Sequence, residues 1–338
     1  MQKLRIDAHK HYDRGSYLQS LQCAESIYLI SPSNVDVLML LTANHFQLRN
    51  LNESIFYAQQ CIRVDVACAE AYVSIGNCLK EMQNLPSAVN FFQKAIRYNP
   101  RLSVAYSNLG LTFLLMGKAE EAIDTLEVAI SLDSSNCDAL CNLAMAYKSQ
   151  GRRNEAKTKL LEAICIDPTC AIAFNNLGVL FNSQGEFEQA VDCYEQALEI
   201  SPLFVDSISN SGNALYNLAK EKRDEDTVQK AKERFERALE LRPDFAVARG
   251  CYGTFLLETS GMDSIDGARH LRMSILQDET CFDSINNMAA LYFGHGAFDD
   301  ALKLSLRVLK NKPSHWCAYI NLGNVLKAKV SKWRTSCT

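Results

Sequence analysis

The sequence predicts an all-α protein, a right-handed α-solenoid (superhelix) built from helix-turn-helix repeats. Three observations predict it: residues that end helices recur every 34 positions, small residues recur at two fixed positions of each period, and apolar residues between them follow helical spacing. A period of this length is typical of a helix pair that buries its apolar side by stacking on its neighbours.

The residues that end the second helix of each pair define the period. Proline occupies this position four times in the regular part of the chain, at Pro32, Pro100, Pro168 and Pro202. Val66 and Ser134 occupy the two steps of the same series that lack proline. Pro243 then comes seven residues late and Glu279 two residues late, before Pro313 restores the interval of 34 residues. This is the period of the tetratricopeptide repeat.

Small residues mark where the two helices of a repeat come close. With Pro32 at position 32, position 8 is glycine or alanine in Gly76, Gly110, Ala144, Gly178, Gly212, Gly253, Ala289 and Gly323. Position 20 is alanine in Ala88, Ala122, Ala156, Ala190, Ala231 and Ala301. Side chains of this size allow close helix packing. Glycine at position 15, in Gly117, Gly151, Gly185 and Gly296, predicts the turn after the first helix.

We expect one solenoid over residues 1–329, with nine complete repeats and the first helix of a tenth from about Trp316 to Lys329. Residues 330–338 are expected to be an irregular tail of a chain that is cut short, because a solenoid end normally has a polar cap. Two repeats are irregular, and their inserted charged stretches, 220–227 (KEKRDEDT) and 260–267 (SGMDSIDG), are expected to be exposed loops.

Composition argues against several classes of function. The net charge of −4 gives no sign of the clustered basic surface that nucleic-acid binding needs. No apolar run of eighteen residues suggests a membrane span, and the thirteen scattered cysteines suggest a reducing cytoplasm or nucleus. The histidines have no metal-ligand spacing, since His9 and His11 are two apart and point to different sides of a helix. We therefore expect no metal, no cofactor, no nucleic acid and no membrane.

Asparagine recurs at position 6 of the first helix, in Asn108, Asn142, Asn176, Asn210, Asn287 and Asn321. Leu40, Ser74 and Cys251 interrupt the row. First helices line the concave side of such a stack, and a primary amide offers a donor and an acceptor to a peptide backbone. The row predicts a peptide-binding groove for extended or disordered segments of client proteins. The alternative is that these amides bond only along the helix surface.

A second row, at position 2, is acidic: Asp36, Glu70, Asp138, Asp206 and Asp283. It predicts either a charge-selective groove or acids that complement the dipole at the start of each first helix. No catalytic grouping accompanies the two rows, because the histidines lie in different repeats without a nucleophile or carboxylate at a suitable spacing. We expect no enzymatic activity from these residues on their own.

The array resembles the N-terminal tetratricopeptide region of the protein O-linked N-acetylglucosamine (O-GlcNAc) transferases. The resemblance extends over about residues 4–329 and is carried by segments beyond the bare repeat pattern: VDVLMLLTANHFQLRNLNESI (35–55), AEAYVSIGNCLKEMQNLPSAVNFFQKAI (69–96), AIAFNNLGVLFNSQGEFEQAV (171–191) and AYINLGNVLKAK (318–329). It implies a superhelix that recruits client proteins for a glycosyltransferase, with the position-6 asparagines on the client backbone.

The resemblance carries no catalytic residue over to this chain. UDP-GlcNAc would be a ligand only together with a catalytic domain beyond residue 338. Two other readings remain: an adaptor or co-chaperone that grips an acidic C-terminus with a basic clamp, and a scaffold of a multi-subunit assembly unrelated to glycosylation. A homodimer through outward-facing apolar side chains also stays open.

Overall fold

The computed structural model describes residues 2–261 and 263–336, and it confirms the all-α solenoid fold, with helices and no strand in those ranges. The chain divides into two compact units, residues 1–176 and 177–338, and the division falls within the helix Ala171–Gln184. In both units the helices alternate between the first and the second helix of a repeat.

The first unit contains five helix pairs and the start of an eleventh helix. Their bounds are α1 (Gln2–Asp13), α2 (Tyr17–Ile30), α3 (Val35–Gln47), α4 (Leu51–Val64), α5 (Ala69–Glu81), α6 (Leu85–Tyr98), α7 (Ser103–Leu115), α8 (Ala119–Leu132), α9 (Cys137–Ser149), α10 (Arg153–Ile166) and α11 (Ala171–Gln184). Odd numbers are first helices and even numbers are second helices.

The second unit takes in the rest of α11 and continues the alternation to the last described residues. Its helices are α12 (Phe187–Ile200), α13 (Val205–Lys222), α14 (Glu225–Leu241), α15 (Ala246–Ser260), α16 (Ile265–Gln277), α17 (Phe282–Gly294), α18 (Phe298–Asn311) and α19 (Trp316–Ser336). Helix α19 is a first helix, at the position of a tenth repeat.

Helix contacts place the first helices in one layer within each unit. Consecutive helices pack on one another, and in addition α1, α3, α5, α7 and α9 contact each other in series. In the second unit α13, α15, α17 and α19 do the same. Each first helix therefore has its own second helix on one side and the first helices of adjacent repeats beside it, as expected for a stack of helix pairs.

The contact between position 8 and position 24 fixes how closely the two helices of a repeat approach. A methyl group at Gly76 would lie 2.5 Å from the Phe92 ring, and one at Gly110 would lie 2.5 Å from Cγ of Leu126. Gly178 has the same relation to Tyr194, at 2.7 Å. Phe92, Leu126 and Tyr194 are almost completely buried. The large side chain of the second helix thus fills a socket that exists only because position 8 lacks a side chain.

Turns after the first helices adopt the left-handed conformation at position 15. Gly117, Gly151, Gly185 and Gly296 have φ between 75° and 82°. Arg49 and Gln83 occupy the same position in two earlier repeats and adopt the same conformation, with φ of 62° and 60°. A residue with a Cβ pays about 1–2 kcal/mol there. The repeat geometry is therefore kept even where the sequence lacks glycine.

The prediction of a loop at residues 220–227 is wrong, although most of the stretch is exposed as expected. Helix α13 continues to Lys222 and α14 begins at Glu225, so most of the insertion lengthens two helices. Lysine and glutamate are good helix formers. The Asp224 side chain caps α14 by accepting a hydrogen bond from the backbone N–H of Asp226 at 3.2 Å.

The insertion of the eighth repeat behaves more as predicted. Helix α15 ends at Ser260 and α16 begins at Ile265, so the connection includes Gly261, with φ of 94°, and the capping residue Ser264. Met262 lies outside the described residues.

Helix α19 corrects the expected irregular tail. It continues from Trp316 to Ser336, past Lys329, because no glycine or proline follows Gly323 to end it. The expected irregularity of residues 337 and 338 concerns positions outside the described residues.

We expect Gly110→Leu to lower the free energy of unfolding by about 3 kcal/mol or more, because the added side chain would overlap Leu126. Gly323→Leu is the matched control, since a Cβ there meets no atom within 4 Å. It should leave the free energy of unfolding unchanged or slightly raised, because leucine favours helix over glycine. Urea unfolding followed by circular dichroism measures the free energy of unfolding of both variants. An equal decrease in the two would contradict the interpretation that Leu126 fills the space left by Gly110.

Gln83→Gly should raise the free energy of unfolding by about 0.5–1 kcal/mol. Glycine removes the strain of the left-handed conformation, and the greater conformational entropy that glycine gives the unfolded chain offsets only part of this gain. Gln150→Gly is the control, because Gln150 ends α9 with φ of −89° and gains nothing from glycine. A Gln83→Gly variant that is less stable than the wild type in the same urea titration would show that its backbone is not strained.

Candidate functional site

All six position-6 asparagines lie half-buried on first helices. The first unit holds three of them, Asn108 on α7, Asn142 on α9 and Asn176 on α11. The second unit holds the others, Asn210 on α13, Asn287 on α17 and Asn321 on α19. The sequence-predicted row therefore falls at one equivalent place on each of the six first helices that carry it.

Asn108 and Asn142 line one concave pocket of the first unit. The pocket has a volume of about 280 Å³ and is formed by first helices, with Asp138 of the acidic row and Cys141 at its wall. Lys80 of α5 also lines it. Amide, carboxylate and ammonium groups thus share one surface depression, which suits the donors and acceptors of a polypeptide backbone.

Lys80 links two first helices through the asparagine row. Its Nζ donates a hydrogen bond to Oδ1 of Asn108 at 3.1 Å, and Nδ2 of Asn108 donates to the carbonyl oxygen of Val104 at 3.0 Å. Burial lowers the pKa of Lys80, although Glu81 and Asp138 act in the opposite direction. Removing this ammonium group from water makes it a stronger partner for any oxygen that enters the pocket.

The remaining amides of the first unit and of α13 have polar neighbours as well. Oδ1 of Asn176 accepts a hydrogen bond from Nδ2 of Asn175 at 3.4 Å. Asn210 also takes part in an interaction.

In the second unit the amides bridge adjacent first helices. Nδ2 of Asn287 donates to Oγ1 of Thr254 at 2.8 Å. Nδ2 of Asn321 donates to Oδ1 of Asn286 at 2.8 Å. Asn287 also lines a pocket of about 210 Å³, together with Cys251, the residue that interrupts the row. Hydrogen bonds along and between first helices are therefore present, as the alternative interpretation of the row expects. The asparagine side chains are also partly exposed.

The acidic row is largely engaged in contacts between elements. Asp36 pairs with Arg5 at 2.6 Å, Asp206 with Arg242 at 3.4 Å, and Asp283 with the buried His315 at 3.1 Å. A carboxylate oxygen of Glu70 lies 3.8 Å from Sγ of Cys68, and Asp138 faces the pocket of the first unit. These acids do not form an uninterrupted free stripe, so their charge does not by itself define the groove.

Sequence reasoning missed the lysines of the first-helix face. Lys80 and Lys148 are separated by two periods, and both hold position 12. Burial lowers the pKa of each ammonium group. Their shared position in the period is the signal that could have found them, because it differs from the asparagine and acidic positions that the sequence predicts for the inner face.

Cys141, which lines the pocket of the first unit, interacts with a second cysteine. The Cys141 thiol forms a hydrogen bond with Cys170, the residue before α11. This bond, together with one from the backbone N–H of Ala173, holds the pKa of Cys170 below its usual range against the opposing effect of burial. The same bond, with burial, raises the pKa of Cys141. In this pair Cys141 therefore favours the thiol form, which can donate a hydrogen bond, whereas Cys170 favours the thiolate form.

Neither a metal-binding cluster nor a membrane-spanning helix is found within residues 2–261 and 263–336. No group of three or more His, Cys, Asp or Glu side chains converges in a way that could hold a metal ion. No helix in those ranges combines the length and apolarity needed to span a bilayer.

Comparison with known proteins identifies the family. Tetratricopeptide repeat profiles match residues 69–102, 91–124, 138–170, 171–203 and 212–245. The chain is a tetratricopeptide-repeat protein. This architecture is that of a protein–protein interaction scaffold, and the matched repeats include the helices of the pocket in the first unit.

One curated relative is similar over a short segment. It is the UDP-N-acetylglucosamine--peptide N-acetylglucosaminyltransferase of Caenorhabditis elegans, which is 35% identical over 81 residues. The match covers 24% of this chain and 7% of the relative. This supports the tetratricopeptide assignment more strongly than the particular resemblance to O-GlcNAc transferases.

Solved structures share the fold at low sequence identity. The human IFIT1 dimer with m7Gppp-AAAA has a TM-score of 0.73 at 15% identity, covering 99% of this chain and 82% of that one. The APC/C hetero-tetramer Cut9-Hcn1 has a TM-score of 0.66 at 17% identity, covering 85% of this chain and 55% of that one. At such identities the similarity concerns the fold alone.

We expect Cys170 to be alkylated by iodoacetamide at lower pH than a thiol without hydrogen-bond donors, because thiolate is the reactive form. Cys141→Ala should shift its alkylation midpoint upward by about one unit, since the donor that stabilises the thiolate is lost. Mass spectrometry after labelling between about pH 5 and pH 9 measures this, with exposed Cys165 as internal reference. An unchanged midpoint in the variant would show that Cys141 does not influence Cys170.

Proposed function

We propose that this chain binds extended segments of client proteins along the face of its first helices, with the position-6 amides on the client backbone. The observation that carries the proposal is the repetition of a half-buried amide at one place on six first helices. Within each unit first helices contact each other in series, so equivalent residues follow one another at regular steps.

The spacing of packed helices suits an extended chain. Packed helices lie about 8–10 Å apart, and an extended strand rises about 3.3 Å per residue. One amide would therefore meet the client about every three residues, which imposes no demand on the side chains between. A net hydrogen bond contributes about 1 kcal/mol, so several amides must act together.

The pocket of the first unit is the strongest candidate for a contact point. Asn108 and Asn142 line it together, and Lys80 adds a partly desolvated ammonium group beside Asn108. A client carbonyl or carboxylate oxygen would be a suitable partner for this group, and the free N–H groups of the two amides would serve neighbouring carbonyls.

The biological role that fits the resemblance is recruitment of clients for a protein O-GlcNAc transferase. The segment shared with the nematode transferase supports it, and the proposal concerns only the client-binding part of such an enzyme. The cytoplasm and the nucleus are the compartments we propose, because scattered thiols suit a reducing environment.

Lys80 and Lys148 favour one competing function, an adaptor that grips an acidic C-terminus. Two lysines at equivalent positions of first helices resemble a basic clamp more than the sequence alone indicated. The two functions differ in what they bind, because a clamp needs a free carboxylate at the chain end and an amide row binds internal segments.

An array of overlapping peptides from intrinsically disordered proteins tests the proposal by their binding to the chain. Each peptide has about 15 residues, which is the length of five steps of three residues. Replacing Asn108, Asn142 and Asn176 together with alanine should weaken binding about a hundredfold, at about 1 kcal/mol for each lost bond. The control replaces three exposed asparagines of second helices, Asn52, Asn90 and Asn154.

The control variant should bind like the wild type. Equal binding by the wild type and the groove variant would contradict the amide row. Binding restricted to peptides with a free acidic C-terminus, and lost when Lys80 and Lys148 are replaced by glutamine, would favour the adaptor instead.

A further inference from the structure

Aliphatic side chains interrupt the acidic row at position 2. Val104, Ile172 and Val247 hold this position in repeats that lie between the acidic ones, and they are 50%, 47% and 53% exposed. Single exposed apolar side chains are common on protein surfaces and indicate nothing by themselves. These three recur at one position of the helices that carry the asparagines, and each of them lines a pocket.

Val104 and Ile172 line the pocket of the first unit together. They lie two repeats apart, on α7 and α11, and Asp138 holds position 2 of the intervening first helix, α9. Asp138 and Asn142 line the same pocket. The position-2 side chains around this pocket are therefore aliphatic, acidic and aliphatic in chain order.

The pocket of the second unit repeats part of this arrangement. Val247 of α15 lines it together with Asp283 and Asn287 of α17, the next first helix. In both units an aliphatic residue at position 2 thus shares a pocket with the aspartate and the asparagine of the following repeat. Because the combination occurs twice, and at a pocket each time, it is a recurring feature of the face.

The aliphatic side chains lie one helical turn from the amide position. Nδ2 of Asn108 donates a hydrogen bond to the carbonyl oxygen of Val104 at 3.0 Å, which holds the amide beside that turn. Residues four apart share one face of a helix, and Ile172 and Asn176 have the same separation. A client whose backbone meets the amides would therefore bring some of its side chains to the aliphatic residues.

The distance between Val104 and Ile172 determines which client side chains can reach both. Two repeat steps of about 8–10 Å separate them, and six residues of extended chain span about 20 Å. Successive side chains of an extended strand point to opposite sides, so residues i and i+6 point to the same side. Residue i+3 points to the other side, which suits the middle step, where Asp138 offers no apolar contact.

Charge in this pocket favours an uncharged client segment. The charged side chains that line it are Lys80 and Asp138, which have opposite signs. Burial lowers the pKa of Lys80 and the Asp138 carboxylate acts in the opposite direction, so the two charges interact. A client side chain of either sign would be attracted by one of them and repelled by the other.

We propose that Val104 and Ile172 select client segments that carry two aliphatic side chains six residues apart, with uncharged residues between them. This inference rests on the proposed client binding by the amide row, to which it adds a side-chain requirement. Val247 has the same role in the second unit, toward one aliphatic side chain.

Fluorescein-labelled peptides of about 15 residues test the proposal. The host peptide contains serine, glutamine and glycine, and its variants carry isoleucine at the fifth and eleventh residues or at the fifth and tenth. Fluorescence anisotropy measures their affinity for the 338-residue chain. A spacing of six should bind about tenfold more tightly than the host peptide, because both isoleucines lose apolar surface to water-free contacts. A spacing of five should gain less, since only one isoleucine can face the pocket.

Val104→Ser combined with Ile172→Ser should remove most of the gain from the two isoleucines and leave the affinity for the host peptide unchanged. Both side chains are about half exposed, so the variant should remain folded, which circular dichroism checks. The matched control combines Val128→Ser and Leu161→Ser, which change aliphatic residues of second helices that are 40% and 45% exposed. It should bind every peptide like the wild type.

The inference and the proposed function fail in different ways. Binding of the host peptide that the isoleucines do not strengthen would overturn the inference alone. A gain that persists in the double serine variant, or that is equal at spacings of five and six, would do the same. Absence of binding by all of the peptides would overturn the proposed client binding and the inference with it. A wild-type dimer in light scattering that the double serine variant makes monomeric would assign the two aliphatic residues to a second copy instead.

Discussion

The close approach of the two helices in each repeat is the constraint on which the structure depends. A missing Cβ at position 8 allows the position-24 side chain to fill the space between them, as Gly110 and Leu126 show. This contact fixes the rotation of the first helix about its axis. Position 6 is two residues earlier, about 200° around the helix, and therefore points away from the second helix. The socket and the amide row are two consequences of one packing geometry.

The asparagines of the amide row make bonds within the protein, and the proposed client binding would use the same groups. Asn287 and Asn321 bridge neighbouring first helices, and Asn108 is held by Lys80. Such bonds fix the side-chain orientation before a ligand arrives, which reduces the entropy lost on binding. Asn108, Asn142 and Asn287 also line pockets. Structural and binding roles of these asparagines are therefore compatible, and the bonds between helices support the interpretation of the row as an ordered surface.

The two sides of a first helix differ in chemistry. The position-6 side carries the amides, and in the pocket of the first unit Lys80 and Asp138 lie beside Asn108 and Asn142. The position-8 side packs against the second helix of the repeat, as Gly110 and the buried Leu126 show.

The sequence by itself determined the repeat period, the helix pairs, the small residues at the sockets and the common position of the asparagines, because all of these depend on spacing along one chain. Tertiary structure decided what spacing does not encode. Residues 220–227 extend two helices since Asp224 caps α14, and the Asp36 carboxylate pairs with Arg5 from another helix. The bond between Cys141 and Cys170 likewise joins residues whose proximity arises only when consecutive repeats stack. Periodicity records which side of a helix a residue occupies, whereas the partner it meets there depends on how neighbouring helices pack.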